Sequence, residues 1–245
     1  MLHPFTSPLL LWLLLLLALW MLFLFGGFLL GPTRNNRRIA RPARIASSFL
    51  LMLAGWSWWA LSAGDAMHFY AGMIATGVTF GFMGDLFLAD LLLGSRTQSM
   101  MGGISAFALG HVCYITGILF LLRQLPLRLP GSMWSALVLF WLAAAAGWHS
   151  LVMRGQARPT ILHWAALPYA LLLATTAGLA CGLALQHSIV MPLALGAILF
   201  LMSDLILAGA LFNDLHWPLH HDIVWLTYGT GQMLIVYSIG VLLLQ

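Results

Sequence analysis

Apolar residues run through this chain in long, Leu-rich stretches separated by short polar breaks. About 20 consecutive apolar residues are needed to cross the hydrocarbon core of a bilayer. Eight stretches reach that length: residues 8–30, 45–63, 69–93, 103–122, 132–152, 160–185, 190–212 and 222–244. The runs are continuous rather than alternating with period two, which predicts helices and excludes a transmembrane barrel. The breaks carry the turn formers: Gly31-Pro32, Gly64-Asp65, Gly94-Ser95-Arg96, residues 126–131, Arg154-Gly155, Gln186-His187 and residues 213–218. None is long enough to separate domains. The expectation is therefore one all-α membrane domain over residues 1–245, a polytopic bundle of eight transmembrane helices. The first run lacks a basic leader and a small-x-small cleavage site, and it is too long for a signal-peptide core. It is read as the first helix.

Composition sharpens this picture. The chain is 62% apolar and 7% charged, with ten Arg, six Asp and neither Lys nor Glu. A soluble domain carries about 25% charged residues, so a soluble enzyme is excluded. A nucleic-acid binder is excluded too, despite the formal charge of +4; the expected surroundings are lipid. Arg34, Arg37, Arg38, Arg41 and Arg44 crowd the first break, and Arg96, Arg154 and Arg158 fall on the same side. Only Arg123 and Arg128 fall opposite. Arginine bias marks the cytoplasmic face, so both termini are expected outside the cytoplasm, with a bacterial inner membrane the preferred location. The cluster reads first as a topology determinant and second as an anionic-lipid site. Cys113 and Cys181 lie inside apolar runs and read as small buried residues.

The informative residues are ionisable groups inside the runs. An Asp at mid-membrane costs roughly 2.5–3.5 kcal/mol to insert, which makes it a functional candidate. Asp85 and Asp204 qualify. Asp90 reads as interfacial, and Asp222 reads as a favourable charge at a helix N-terminus. Residues 77–89 and 196–208 align at one constant offset: Gly77 with Gly196, Met83 with Met202, Asp85 with Asp204, Ala89 with Ala208. That suggests a weak internal repeat of four helices plus four, the halves running parallel. Both Asp-bearing helices run inward, and each Asp falls on the order of 5 Å to the cytoplasmic side of its run's centre.

Other polar groups fall at similar depth. His111 and Tyr114 share a helix face, as do Tyr228 and Gln232. Tyr169 follows Pro168, and Ser203 precedes Asp204. Gly84, Ser203, Gly110 and Gly229 permit close helix approach. The third, fourth, seventh and eighth helices are expected to surround one polar pocket.

These motifs resemble the YhhN family of eight-span membrane proteins, which includes the lysoplasmalogenases. The matching stretches are residues 84–88, 107–114, 168–170 and 196–204, then Tyr228 with residues 231–235. The family often has a Lys-Pro pair near the start of the second span. Here Ala46-Ser47-Ser48 stands at that place, and Arg44 is a nearby cation. The resemblance implies hydrolysis of the vinyl ether of a lysoplasmalogen, a single-chain lysophospholipid, to a fatty aldehyde and a glycerophospho-head group. It implies Asp85 and Asp204 as catalytic residues, with His111, Tyr114, Tyr228 and Gln232 in the pocket; Tyr169 and Ser203 join them as supporting candidates, and no cofactor or metal is expected.

Elementary chemistry agrees with two carboxyl groups. A vinyl ether is cleaved by protonating its β-carbon, which leaves an oxocarbenium ion that water attacks. A carboxylic acid serves as donor, and a carboxylate stabilises the cation and takes a proton from water. His111 or Tyr114 is expected to orient that water or tune one Asp. Four other readings compete, one of them a purely structural or lipid-binding role. A proton-coupled transporter uses paired intramembrane Asp. An intramembrane aspartyl protease does so as well, but Gly81-Phe82-Met83-Gly84-Asp85 departs from its GxGD pattern. A metal-dependent lipid hydrolase would draw on His111, Asp85, Asp204 and the loop residues His216, His220 and His221. The sequence does not set the oligomeric state.

Overall fold

The computed structural model describes residues 8–34, 36–92, 95–126 and 129–244. Gly94 of the third break and Arg128, one of the two arginines counted opposite the main cluster, lie outside the described residues. The described residues form eight long helices: α1 (Pro8–Leu30), α2 (Arg41–Leu61), α3 (His68–Leu88), α4 (Arg96–Gln124), α5 (Pro130–Met153), α6 (Ile161–Ala184), α7 (Met191–Phe212) and α8 (His220–Leu243). The described residues contain no strand beyond one isolated bridge between Arg34 and Arg37. Seven of the helices are long and apolar enough to cross a membrane. The exception is α2, whose 21 residues include Arg41, Arg44, Ser47, Ser48 and Ser57. It packs between α1, α3 and α8, so much of its polar face is turned to protein.

Helix ends differ from the hydropathy boundaries where the apolar run and the hydrogen-bonded helix part company. Helix α4 begins at Arg96 rather than 103, because Ser95 caps it by accepting the Gln98 N–H at 3.3 Å. Helix α3 ends at Leu88 rather than 93, and Asp90 adopts a left-handed backbone with φ 54° just beyond it. Asp85 lies in the last turn of α3, about 4.5 Å of rise from its end, whereas Asp204 lies about 12 Å from the end of α7. His220 and His221 open α8 rather than belonging to the preceding loop.

The packing order is a ring. Helices α2, α3, α4, α6, α7 and α8 each touch their neighbours in that sequence, and α8 closes back on α2. Helix α1 sits outside α2, and α5 sits outside α6. Each outboard helix buries a single stripe. On α1 the stripe is Leu13, Leu16, Trp20 and Leu24; on α5 it includes Met133, Leu137 and Ala144. The spacings match one face of a helix. Met133 and Leu137 lie against Gly182 and Gly178 of α6, where a Cβ would come within 2.7 and 2.8 Å of their Cα atoms.

The halves repeat each other in these contacts. Adding four to each helix number turns the α4–α6 contact into α8–α2, and α1 on α2 into α5 on α6. The glycines repeat as well. A Cβ on Gly110 would stand 2.9 Å from the Gly77 carbonyl oxygen, and one on Gly231 would stand 2.7 Å from that of Gly196. Each pair lets the Asp-bearing helix approach its successor at backbone distance.

The loop joining α1 to α2 is clipped to the turn before α8. Asp222, 1% exposed, accepts the backbone N–H groups of Arg38 at 2.7 Å and Ile39 at 2.9 Å. Asn36 accepts the Leu219 N–H at 2.9 Å. Asp222 therefore does more than favour a helix N-terminus, since it ties the arginine-rich loop to the bundle. Charge-assisted hydrogen bonds contribute about 1.5–3 kcal/mol each, so Asp222→Ala should free this loop. Limited trypsin digestion reads it: faster cleavage at Arg34, Arg37 or Arg38 is expected, and wild-type resistance would refute the clip.

Candidate functional site

One cavity of about 490 Å³ occupies the arginine-rich end of the ring. Its wall takes residues from every helix except α1. Helix α3 gives Asp85 from its last turn, and α7 gives Asp204 and Leu205. Helix α6 gives Tyr169 and Leu173, α8 gives Trp225 and Tyr228, α4 gives Phe107, and α5 gives Trp148. The pocket is thus built by more helices than the four expected from sequence.

The two carboxyl groups face this cavity with separate sets of donors. Asp85 is 3% exposed. Its Oδ2 accepts the Ser48 hydroxyl at 2.5 Å and the Tyr228 hydroxyl at 2.9 Å. Asp204 accepts the Tyr169 hydroxyl through Oδ2. Ser203 lies 3.3 Å from Asp204 Oδ1, but its hydroxyl also bonds the Phe200 carbonyl at 2.7 Å. One hydroxyl proton serves one of these acceptors at a time, and the shorter bond takes it. Each Asp therefore holds a tyrosine on one oxygen, contributed by a neighbouring helix. Burial makes these bonds strong, because an unpaired carboxylate in an apolar wall is costly.

The sequence candidates divide into two layers. Asp85, Asp204, Tyr169 and Tyr228 line the cavity. Tyr114, Gln232, His111 and Ser203 stand behind it. Tyr114 donates to Gln232 Oε1 at 2.6 Å, and Gln232 Nε2 approaches the Tyr228 hydroxyl at 3.4 Å. This chain ends on Asp85, so Tyr114 acts there only through two intermediaries. His111, 1% exposed, bonds Thr176 of α6 at 2.9 Å through Nδ1. Phe200 packs edge-on against the imidazole at 4.6 Å, and Phe107 and Tyr228 pack against Phe200. His111 itself does not line the cavity, but its ring lies edge-on to Tyr169 at 6.3 Å, and its Nε2 is buried without a hydrogen-bond partner. Of the face it shares with Tyr114, only His111 reaches α6; Tyr114 turns to Gln232 of α8.

Two residues, Ser48 beside Asp85 and Trp225 on the cavity wall, were missed from sequence. Ser48 read only as part of a departure from the family motif, yet it is a direct partner of Asp85. Trp225 carries the Arg44 guanidinium over its ring at 5.3 Å. The faint signal was spacing: Ser48 lies one turn beyond Arg44 on the same helix, and Trp225 lies one turn before Tyr228. Among the described residues, no group of three His, Cys, Asp or Glu side chains is arranged to hold a metal ion. His216 and His220 lie 3.3 Å apart, and His221 takes a hydrogen bond from Arg37 at 2.9 Å.

A ring of membrane-length helices around a cavity with two carboxyl groups, Asp85 buried and Asp204 half-buried, defines an integral, multi-pass membrane protein. The chain belongs to the YhhN family, whose model matches residues 39–239. The match runs from just before α2 into α8. No curated protein and no solved structure matches the chain.

Proposed function

We propose that the chain is a membrane-embedded hydrolase that cleaves the vinyl ether bond of a lysoplasmalogen, releasing a fatty aldehyde and a glycerophospho-head group. One observation carries the reading: Asp85 and Asp204, on different helices, line one largely apolar cavity. Its volume is in the range of about 300–1,000 Å³ that suits a small-molecule site.

The chemistry assigned to the pair is acid–base. One carboxyl group gives its proton to the β-carbon of the vinyl ether, and the π electrons of the double bond form the new C–H bond. The ether oxygen then shares the positive charge left on the α-carbon. The other carboxylate faces that cation and takes a proton from the water that attacks it. The resulting hemiacetal loses its hydroxyl proton, its C–O bond to glycerol breaks, and the glycerol oxygen is protonated. The site would face the cytoplasm, with both termini outside it, in a bacterial inner membrane.

The tyrosines are positioning residues in this scheme. Tyr169→Phe leaves Asp204 without a strong donor, whereas Tyr228→Phe leaves Ser48 on Asp85. A hydrogen bond to a charged group contributes about 1.5–3 kcal/mol, so Tyr169→Phe should lower kcat by about 10- to 100-fold. Tyr228→Phe should lower it less. KM should move little in both, and the steady-state kinetics of aldehyde release check the order.

The direct test is aldehyde release by purified protein from a lysoplasmalogen, beside an acyl lysophospholipid of the same chain length. Aldehyde from the first alone is expected. A folded protein that releases none, yet moves protons across liposomes when lysolipid is added, would transfer the two Asp to transport.

A further inference from the structure

Hydrolysis at the Asp pair leaves the mouth of the cavity unexplained. Arg37, Arg41, Arg44 and Arg96 all line it, together with His221. They come from the loop before α2, the first turns of α2 and the first turn of α4. A topology signal requires arginines near helix ends but does not require them to converge on one cavity.

Arg44 is the most informative. Its side chain is half-buried, its guanidinium lies over Trp225, and its Nε is buried without a hydrogen-bond partner. Among the described residues no arginine is ion-paired, and the ion pair present joins His216 to Asp214. The nearby Asp222 is already engaged by the backbone of Arg38 and Ile39. A buried guanidinium N–H left unpaired costs stability unless a ligand supplies the acceptor. Phosphate oxygens match that fork.

We infer that the mouth is a phosphate site, in which Arg44, with Arg41 and Arg96 beside it, holds the phosphodiester of a single-chain lipid whose tail enters the apolar part of the cavity. This rests on reading the cavity as a lipid site, but not on ether cleavage. Trp225 supports the guanidinium from one side, at 5.3 Å from its ring centre.

The test uses full-length protein in uncharged detergent and a saturated 1-alkyl lysophospholipid, which has no double bond to protonate. Its equilibrium binding is compared with that of a 1-alkylglycerol of equal chain length, which lacks the phosphate. Wild type should favour the phosphate-bearing lipid by about tenfold or more, the equivalent of one charge-assisted hydrogen bond. Arg44→Gln should erase most of that preference while leaving alkylglycerol affinity unchanged, and Arg44→Lys should restore part of it. Equal affinity of wild type for the two lipids would overturn the inference. So would an unchanged preference in Arg44→Gln, or full displacement of the lysophospholipid by millimolar inorganic phosphate, which would make this a free-anion site. Retained preference without any aldehyde release from a vinyl ether would count against ether cleavage alone.

Discussion

Asparagine at Asp85 or at Asp204 is expected to lower aldehyde release by about 10³-fold or more while leaving the bundle folded. General acid or base catalysis by a single group contributes about 10²–10⁴-fold. The pair here supplies both the proton and the charge facing the cation, so the upper part of that range applies. Asparagine keeps a carbonyl oxygen of the same size and reach. At position 85 it can still accept the Ser48 and Tyr228 hydroxyls that bond Asp85 Oδ2. At position 204 it can still accept from Tyr169. What it loses is the proton a carboxylic acid donates and the charge a carboxylate places beside an oxocarbenium ion. The two single variants should be about as slow as the double variant, because groups that act as one unit are not additive. Turnover near wild type by either single variant, with an unchanged melting profile, would remove that residue from the mechanism.

The second large effect is on stability. Alanine at Gly196 or Gly231 should destabilise the protein strongly, because the added Cβ meets backbone on both sides. On Gly196 it would lie 2.6 Å from the Gly231 carbonyl oxygen and 3.0 Å from the Ile235 nitrogen. On Gly231 it would lie 2.7 Å from the Gly196 carbonyl oxygen and 2.9 Å from the Phe200 nitrogen. Neither neighbour is a side chain that can rotate away, so α7 and α8 must separate. Overpacking a well-packed core costs about 1–3 kcal/mol, and a backbone clash falls at the upper end. Gly131→Ala is the control. Nothing lies within 4 Å of a Cβ there, and the site opens α5. Thermal unfolding in detergent should show a clear fall for Gly196→Ala and Gly231→Ala and none for Gly131→Ala. Equal midpoints for all three would deny the close α7–α8 approach.

Much of the architecture is legible in the hydropathy pattern, because a membrane helix must satisfy its own backbone and announces itself by length and composition. The register of Asp85 and Asp204 is legible too. A shared offset in two helices of like direction puts both side chains toward one end of the bundle, and the cavity takes in both. The identity of each partner was not legible. Ser48 meets Asp85 and Tyr169 meets Asp204 because α2 and α6 take particular rotations about their axes. Those rotations are set by how Gly55 of α2 meets α3 and how Gly178 and Gly182 of α6 meet α5. A helix face read from sequence says which residues lie together, not which neighbour they turn to. His111 illustrates this: it shares a face with Tyr114, as the three-residue spacing requires, but it meets Thr176 of α6 while Tyr114 meets Gln232 of α8. The end of α3 was misplaced for another reason. Leu91 and Leu92 continue the apolar run, while the left-handed Asp90 breaks the backbone helix before them.

The measurement that bears most directly on vinyl ether cleavage by this carboxyl pair is turnover of a lysoplasmalogen in deuterated water, with the aldehyde read by mass spectrometry. Protonation of the β-carbon puts one solvent-derived deuterium on the carbon next to the aldehyde group, and the signal should vanish in Asp85→Asn and Asp204→Asn. Aldehyde without deuterium at that carbon, or labelled aldehyde formed equally by the asparagine variants, would contradict the account.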